Sequence, residues 1–406
     1  WHGSLLISLP ASYSTSSLLP DPKPFMPRIQ LLIYTSIRVI LNTAHRMIYP
    51  FLSVFARGLG VDVSVISGLI ANRAIFGTFT PFIIPFIEQR GRKFGMLLGL
   101  GCFVSAMGLV SFLPTVTSLG IALVLSMFGK AFFDPSLTAH ISDQTPYSER
   151  GSAIAILEFA WSFAFILGVP AVGWLIARSG WASPFLTFTL LGTAAFLYVA
   201  FTLKNSVMLN HPEGGVFANI RAVFTSPVSL VAISIGLLVS AANELVNVTF
   251  GIWLEDSFQL QIAALGAASA IIGLSELGGE GLVFGFVDRL GKVRASGIGV
   301  IANCLAAVLL PIIGRTQTGA LIGLFLFYIT FEFTIVSIIP LITEVMPNAR
   351  VTMLSFAGAG HSIGRGVGAL LAPGLYAVNF SYIMVVAIIF NILGLAAVWY
   401  VSHHHD

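Results

Sequence analysis

The sequence predicts an all-α membrane protein of twelve transmembrane helices in two six-helix pseudo-repeats. Three observations predict it. The 406 residues are 56% hydrophobic and only 9% charged, against about 25% charged in an ordinary soluble domain. Apolar segments close to the roughly 20 residues a bilayer requires recur along the chain on either side of one polar midpoint. A charged loop, "FIEQRGRKF" at Phe86–Phe94, returns as "FVDRLGKVR" at Phe286–Arg294, so that Glu88, Gly91 and Arg92 fall on Asp288, Gly291 and Lys292 at a constant offset (288 − 88 = 200).

Residues 1–27 are rich in Ser and Pro and too broken to span; their "LLISLP" lacks the basic start and long apolar core of a signal peptide, and they read as a disordered leader. Spans are expected near 28–51, 64–87, 94–113, 117–141, 151–177 and 184–203, then near 228–253, 262–287, 294–314, 318–341, 351–376 and 382–401. The polar stretch 204–227 separates a six-helix bundle at 28–203 from a second at 228–402, and its "VFANIRAVF" reads as an amphipathic surface turn. With the N-terminus inside, the inner segments hold Lys23, Arg28, Arg90, Arg92, Lys93, Arg150, Lys204, Arg221, Arg289, Lys292, Arg294 and Arg350. The outer loops hold only Arg57, Arg178 and Arg315, a bias that puts both termini in the cytoplasm. Arg150 and Arg350, and Gly168 and Gly368, repeat the same offset, as expected of parallel repeats about an axis along the membrane normal.

These features resemble the major facilitator superfamily. "IEQRGRK" and "GFVDRLGK" are similar to its loop 2–3 signature, with Glu88 and Gln89 departing in the first copy and Asp288, Arg289, Gly291 and Lys292 in place in the second. "GVPAVG" in span 5 (Gly168, Pro170, Gly173) resembles the antiporter motif, departing at Trp174, and "DPSLTAHISDQTPYSERGSA" resembles the end of span 4 in efflux-type members. The family's span 4 arginine would fall at Leu123; Lys130 lies seven residues on. The resemblance implies alternating access, a central cavity lined by spans 1, 2, 4, 5, 7, 8, 10 and 11, and peripheral spans 3, 6, 9 and 12. The repeated loops would act as gate motifs: a carboxylate there can cap a neighbouring helix or pair across the loop, and the glycine permits a tight turn.

Charge in the hydrocarbon layer costs about 2.5–3.5 kcal/mol per residue on insertion scales, so every instance marks a functional candidate. Arg38, His45 and Arg46 lie in span 1, Arg73 in span 2, Lys130, Asp134 and His140 in span 4, and Glu158 in span 5. Glu244 lies in span 7, Glu276 and Glu280 in span 8, Glu332 in span 10, and His361 and Arg365 in span 11. A basic half thus faces an acidic half. Arg38, Asn42, His45 and Tyr49 form one polar stripe on span 1; Ser240, Asn243, Glu244 and Asn247 form its counterpart on span 7. These residues, with Arg73, Lys130, Glu280, Glu332, His361 and Arg365, are the candidate substrate cavity. Arg73 doubles as a structural partner for a carboxylate, and His140 reads as a surface residue. The glycines of "GLSELGGEG" in span 8 suit close helix approach. The 33 Phe residues read mainly as lipid-facing or packing groups.

Glu158 and Asp134 are the leading candidate proton carriers and Glu276 the next, because each lies within the bilayer yet within reach of an aqueous mouth. Lys130 can tune a carboxyl beside it, either Asp134 at i+4 or Glu158 in a fixed bridge between spans 4 and 5. No GxxxxGK[ST] loop and no HExxH is present in the sequence, which disfavours an ATP-driven pump or an intramembrane enzyme. The expected protein is a monomer in a bacterial cytoplasmic membrane. Its expected partners are a small organic solute, protons and lipid, with no nucleic acid, cofactor or metal. An uncoupled facilitator, an amphiphile flippase and a non-transporting sensor are the alternatives.

Overall fold

The computed structural model describes residues 26–146, 149–204 and 216–404. Nearly all of the expected leader and residues 205–215 of the expected linker lie outside them, as do the side chains of Glu88 and Asp288. The spans are Arg28–Arg46 with Leu52–Leu59 (span 1), Val63–Gly77 with Thr80–Glu88 (span 2), Arg92–Phe112 (span 3) and Val116–Gln144 (span 4). Span 5 runs Arg150–Phe163, a π-helical turn Ala164–Gly168, and Val169–Ser179; span 6 is Ser183–Thr202. After a linker helix, Val216–Thr225, come Pro227–Phe258 (span 7), Ile262–Leu290 (span 8), Lys292–Ile313 (span 9), Gln317–Val345 (span 10), Arg350–Val378 (span 11) and Phe380–His404 (span 12).

Among the described residues, nine helices are long and apolar enough to cross a membrane on length and composition: spans 3 to 10 and span 12. The other three fall short for physical reasons. Span 1 is interrupted at Met47–Phe51, around Pro50, and span 2 at Thr78–Phe79, just before Pro81, since proline removes a donor and restricts the residue before it. Span 11 is diluted by glycine, His361 and Arg365. The 114° bend between Leu52–Leu59 and Val63–Gly77 is the reversal from span 1 to span 2.

Local chemistry sets the reversals. Asp62 accepts from the Ser64 amide (2.8 Å) to cap span 2, and hydrogen bonding from the Ser64 hydroxyl, then from that amide, lowers its carboxyl's pKa from the ordinary value. Thr115, Ser226 and Thr316 cap spans 4, 7 and 10 in the same way. Gly91 (φ 90°) and Gly291 (φ 81°) both turn the chain in the positive-φ region, which explains why both copies of the loop carry glycine. Behind those turns each half forms a matching bridge: Arg92 to Asp143 in the first (3.5 Å) and Lys292 to Glu344 in the second. The basic residue of the loop therefore reaches the end of span 4 or span 10 in its own half.

The expected surface position of His140 is corrected. It is 6% exposed and packs edge-to-face on Tyr34 at 5.6 Å, because span 1 lies over that face of span 4.

Candidate functional site

A cavity of about 900 Å³ lies between the halves. Among the described residues its walls come from spans 1, 5, 7, 8, 10 and 11; spans 3, 6, 9 and 12 contribute none, as expected, and neither do spans 2 and 4, which were expected to line it. It reaches from His45, Tyr49 and Asn247 at mid-span to Ala155, Phe284 and Ile339, towards the end that carries the Gly91 and Gly291 loops. The opposite end is shut by contacts between halves. Arg57 pairs with Glu255 at 2.7 Å, and Ser53 donates to the same carboxylate. A Cβ added at Gly251 would lie 2.5 Å from the Pro50 carbonyl, and one added at Gly173 would lie 3.1 Å from Gly266 Cα. The glycines let those backbones touch.

The expected site residues fall into three groups. The first binds spans 1, 4 and 5 together. Arg38 donates to both Glu158 oxygens (2.8 and 3.3 Å) and stands 3.5 Å from Asp134. Lys130 bridges Asp134 and Asn42, each at 2.5 Å. The fixed Lys130–Glu158 bridge is not formed. Arg38 holds both carboxylates, and Lys130 takes its i+4 neighbour while lying 3.9 Å from the centre of the Trp161 ring.

The second group is a relay across four spans. Arg73 donates to the Tyr49 hydroxyl (2.7 Å) and to the His45 carbonyl (3.1 Å). Tyr49 donates to Glu244 (2.8 Å), and Asn247 donates to Glu244 (3.1 Å) and to Asn243 (2.8 Å). Tyr328 closes the relay at Asn247 (2.6 Å). Arg73 thus reaches its carboxylate through a tyrosine. Arg38, Asn42, Arg73, Lys130, Asp134 and Glu244 sit behind the cavity wall and do not line it: Lys130 binds Asn42 and Asp134 there, Arg38 lies beside Asp134, and Arg73 and Glu244 meet through the cavity-lining Tyr49.

The third group faces the cavity. Arg46 crosses to Glu276 at 2.7 Å and stacks between Trp161 (4.6 Å) and Phe165 (4.5 Å). His361 meets Ser240 at 2.6 Å. Glu280, Glu332 and Arg365 line the same space, with no ion-pair partner for any of them among the described residues. The expected closeness of span 8 holds at Gly273, Gly278 and Gly279, where a Cβ would come within 3.0 Å of span 5 or span 10, but Gly281 faces open space. Of the span 5 motif, Gly168 abuts the Thr43 side chain and Gly173 meets Gly266, while Pro170 starts the helix after the π turn. Arg289 is exposed.

Trp161, Phe165, Tyr328 and the Arg57–Glu255 clasp were not among the expected site residues. Trp161 was findable, being three residues from Glu158 and so on the same helix face. Span 11 also contains Gly360-His361-Ser362-Ile363-Gly364, the GxSxG spacing of a nucleophile elbow. An elbow requires a strand-to-helix turn. Here all five residues lie inside one helix, and the histidine bonds Ser240.

Comparison with known proteins agrees with this architecture. The Major Facilitator Superfamily profile matches residues 35–352. Multidrug resistance protein 2 of Bacillus subtilis is 25% identical over 377 residues, covering 87% of this chain and 90% of that protein. Solute carrier family 22 member 18 of Rattus norvegicus is 26% identical, covering 95% and 97%. A bacterial homolog of the human lysosomal transporter Spinster, crystallised inward-facing and unoccupied, superposes with a TM-score of 0.75 at 14% identity, covering 93% of this chain and 97% of that one; this likeness is one of fold. The chain belongs to the Major Facilitator Superfamily, as an integral multi-pass membrane transport protein.

Proposed function

We propose that the protein is a proton-linked secondary transporter that exports a small organic solute by alternating access. The observation that carries the reading is the central cavity. It is open towards the loop-motif end and sealed at the other end by the Arg57–Glu255 pair between opposite halves, while Arg46–Glu276 joins the halves across the cavity itself. Bundles 28–203 and 228–402 rock about this site, joined by the linker 204–227. The loop-motif end is cytoplasmic on the charge bias, with both termini on that side of a bacterial cytoplasmic membrane, and the protein works as a monomer. Export is favoured by the span 4–5 motifs and by likeness to a multidrug resistance protein.

Glu158 and Asp134 are the leading carriers because they share one counter-ion, Arg38. A state that withdraws Arg38 or Lys130 changes the proton affinity of both, and differential affinity between states is what coupling requires. Glu276, tied to Arg46, is the next candidate. The remaining cavity residues receive the solute, and Asp288 and Glu88 with their loops gate the cytoplasmic mouth.

The test uses whichever solute most raises the melting temperature in a screen of metabolites and drugs. In proteoliposomes, Glu158→Gln or Asp134→Asn should abolish accumulation on a pH gradient and keep exchange at zero gradient. Normal accumulation in both variants and in Glu276→Gln overturns the assignment. Topology is checked separately, in a background lacking Cys102 and Cys304. An impermeant thiol reagent added to intact cells should label Ser179→Cys and miss Lys204→Cys; the reverse pattern overturns the orientation.

A further inference from the structure

Span 7 ends near two consecutive acids, and the seal between the halves uses one of them. Glu255 holds Arg57, whereas Asp256 has no ion-pair partner among the described residues. One Asp256 oxygen, Oδ2, accepts from the Tyr376 hydroxyl of span 11 at 2.8 Å. That pair stands at the edge of a second hollow, about 450 Å³, at the sealed end of the molecule. The hollow is built from one half alone: the last two turns of span 7, the ends of spans 9 and 11, and the start of span 12. It shares no lining residue with the central cavity.

Its floor is aromatic and buried. Trp253 and Phe380 lie face to face, 4.2 Å apart and 2° from parallel, and are 6% and 9% exposed. Aromatic residues at span ends ordinarily sit in the membrane interface; this pair is instead packed within its half. Gly314 makes room for it, since a Cβ there would lie 2.8 Å from the Trp253 ring. The rim is polar. Asp256 and Ser257 come from span 7, and Asn379 and Ser381 from the turn into span 12, all four exposed. Asp256 carries the one charge among the lining residues; Arg315, exposed beside Gly314, is not one of them.

We infer that this hollow binds an organic ammonium ion with a short apolar body, at a site separate from the transport cavity. The Asp256 carboxylate, steadied by Tyr376, takes the ammonium, and the serine hydroxyls of the rim supply further acceptors. The apolar body rests on the aromatic floor. An anion would meet a carboxylate and no base. A purely apolar ligand would cover that carboxylate without replacing its water. The volume is that of a small-molecule site. The ammonium can belong to a free amine or to the headgroup of an ethanolamine lipid, which present the same group. Because the hollow lies within one half, rocking of the halves leaves it intact, and it stands or falls independently of proton-linked export.

The test labels the full chain with 5-fluorotryptophan and places it in phosphatidylcholine nanodiscs. The Trp253 fluorine signal is identified by its loss in Trp253→Phe. Phenethylamine, protonated near neutral pH, should shift that signal saturably. Its neutral isostere 2-phenylethanol should not at the same concentrations. Asp256→Asn should weaken binding about tenfold or more through loss of a charge-assisted hydrogen bond. Ser257→Phe, which keeps the carboxylate and fills the mouth, should abolish it. Both positions are exposed, so both variants should melt like the parent. Exchanging part of the phosphatidylcholine for phosphatidylethanolamine assigns the source. Competition with phenethylamine makes the natural occupant a lipid headgroup, and unchanged binding makes it a soluble amine; each upholds the ammonium site. Three results each overturn the inference: no saturable shift at Trp253, equal shifts by the amine and the alcohol, or an Asp256→Asn protein that binds like the parent. A shift confined to the Trp161 signal would place the amine in the central cavity and overturn it as well.

Discussion

Arg46→Ala is expected to destabilise the protein by about 3–5 kcal/mol, because it strands Glu276 in the interior without its partner. The two side chains are 13% and 10% exposed and meet at 2.7 Å, and Arg46 also loses its stacking on Trp161 and Phe165. Glu276→Ala should cost a similar amount. The double variant Arg46→Met with Glu276→Met should recover most of the loss, since removing both charges removes the desolvation penalty with the attraction. On the proposed rocking of the two halves it should not recover transport, because the pair joins them across the cavity. Thermal melts of purified protein read the stability, and liposome flux reads the function. Single variants that melt like the parent would show that the pair is incidental.

The second large effect concerns packing within one half. Gly360, Gly364 and Gly368 repeat every fourth residue along span 11 and lie against the backbone of span 7. A Cβ on Gly364 would overlap the Leu237 carbonyl, and one on Gly368 would lie 2.7 Å from the Ala241 carbonyl. Backbone cannot move aside as a side chain does. Gly364→Val should therefore cost about 3 kcal/mol or more, at the upper end for overpacking, and the folded yield should collapse. Gly358→Ala is the matched control. That position has nothing within 4 Å, so alanine there should be neutral or stabilise by about 0.5–1 kcal/mol through helix propensity. Size-exclusion profiles of the two variants give the comparison. A Gly364→Val protein with the parent's yield and melt would mean that the helices can part at no cost.

Much of the fold was legible in the sequence, because a bilayer imposes constraints that composition and spacing record directly. Charge-free interiors marked spans 3, 6, 9 and 12, and none of them reaches the cavity. The doubled glycine of the loops marked two positive-φ turns. The site was legible only within single helices. Lys130 and Asp134 are neighbours at i,i+4 and do pair. Which residue faces Glu158 depends on how spans 1 and 5 are rotated about their axes, and no periodicity within either span sets that. Arg38 took the place that spacing alone offered to Lys130. The aromatic bed under Arg46 was obscured for a related reason: in a chain with 33 Phe residues, ring content does not distinguish a cation's cradle from a lipid-facing surface.

The π-helical turn at Ala164–Gly168 has a consequence for how span 5 keeps time with its neighbours. A π turn accommodates one residue more than the α-helix it interrupts. Each residue of an α-helix advances the azimuth by about 100° and the rise by 1.5 Å. Everything from Val169 to Ser179 is therefore phase-shifted relative to Arg150–Phe163. The first segment points Glu158 and Trp161 at the cavity, and the second points Gly173 at Gly266 across the sealed seam. A uniform helix could not be tuned for both. The extra residue works as a vernier between two scales, letting one helix serve a wet half and a dry half that require different clock positions. Leu167, 62% exposed within that turn, is the digit whose deletion would reset it.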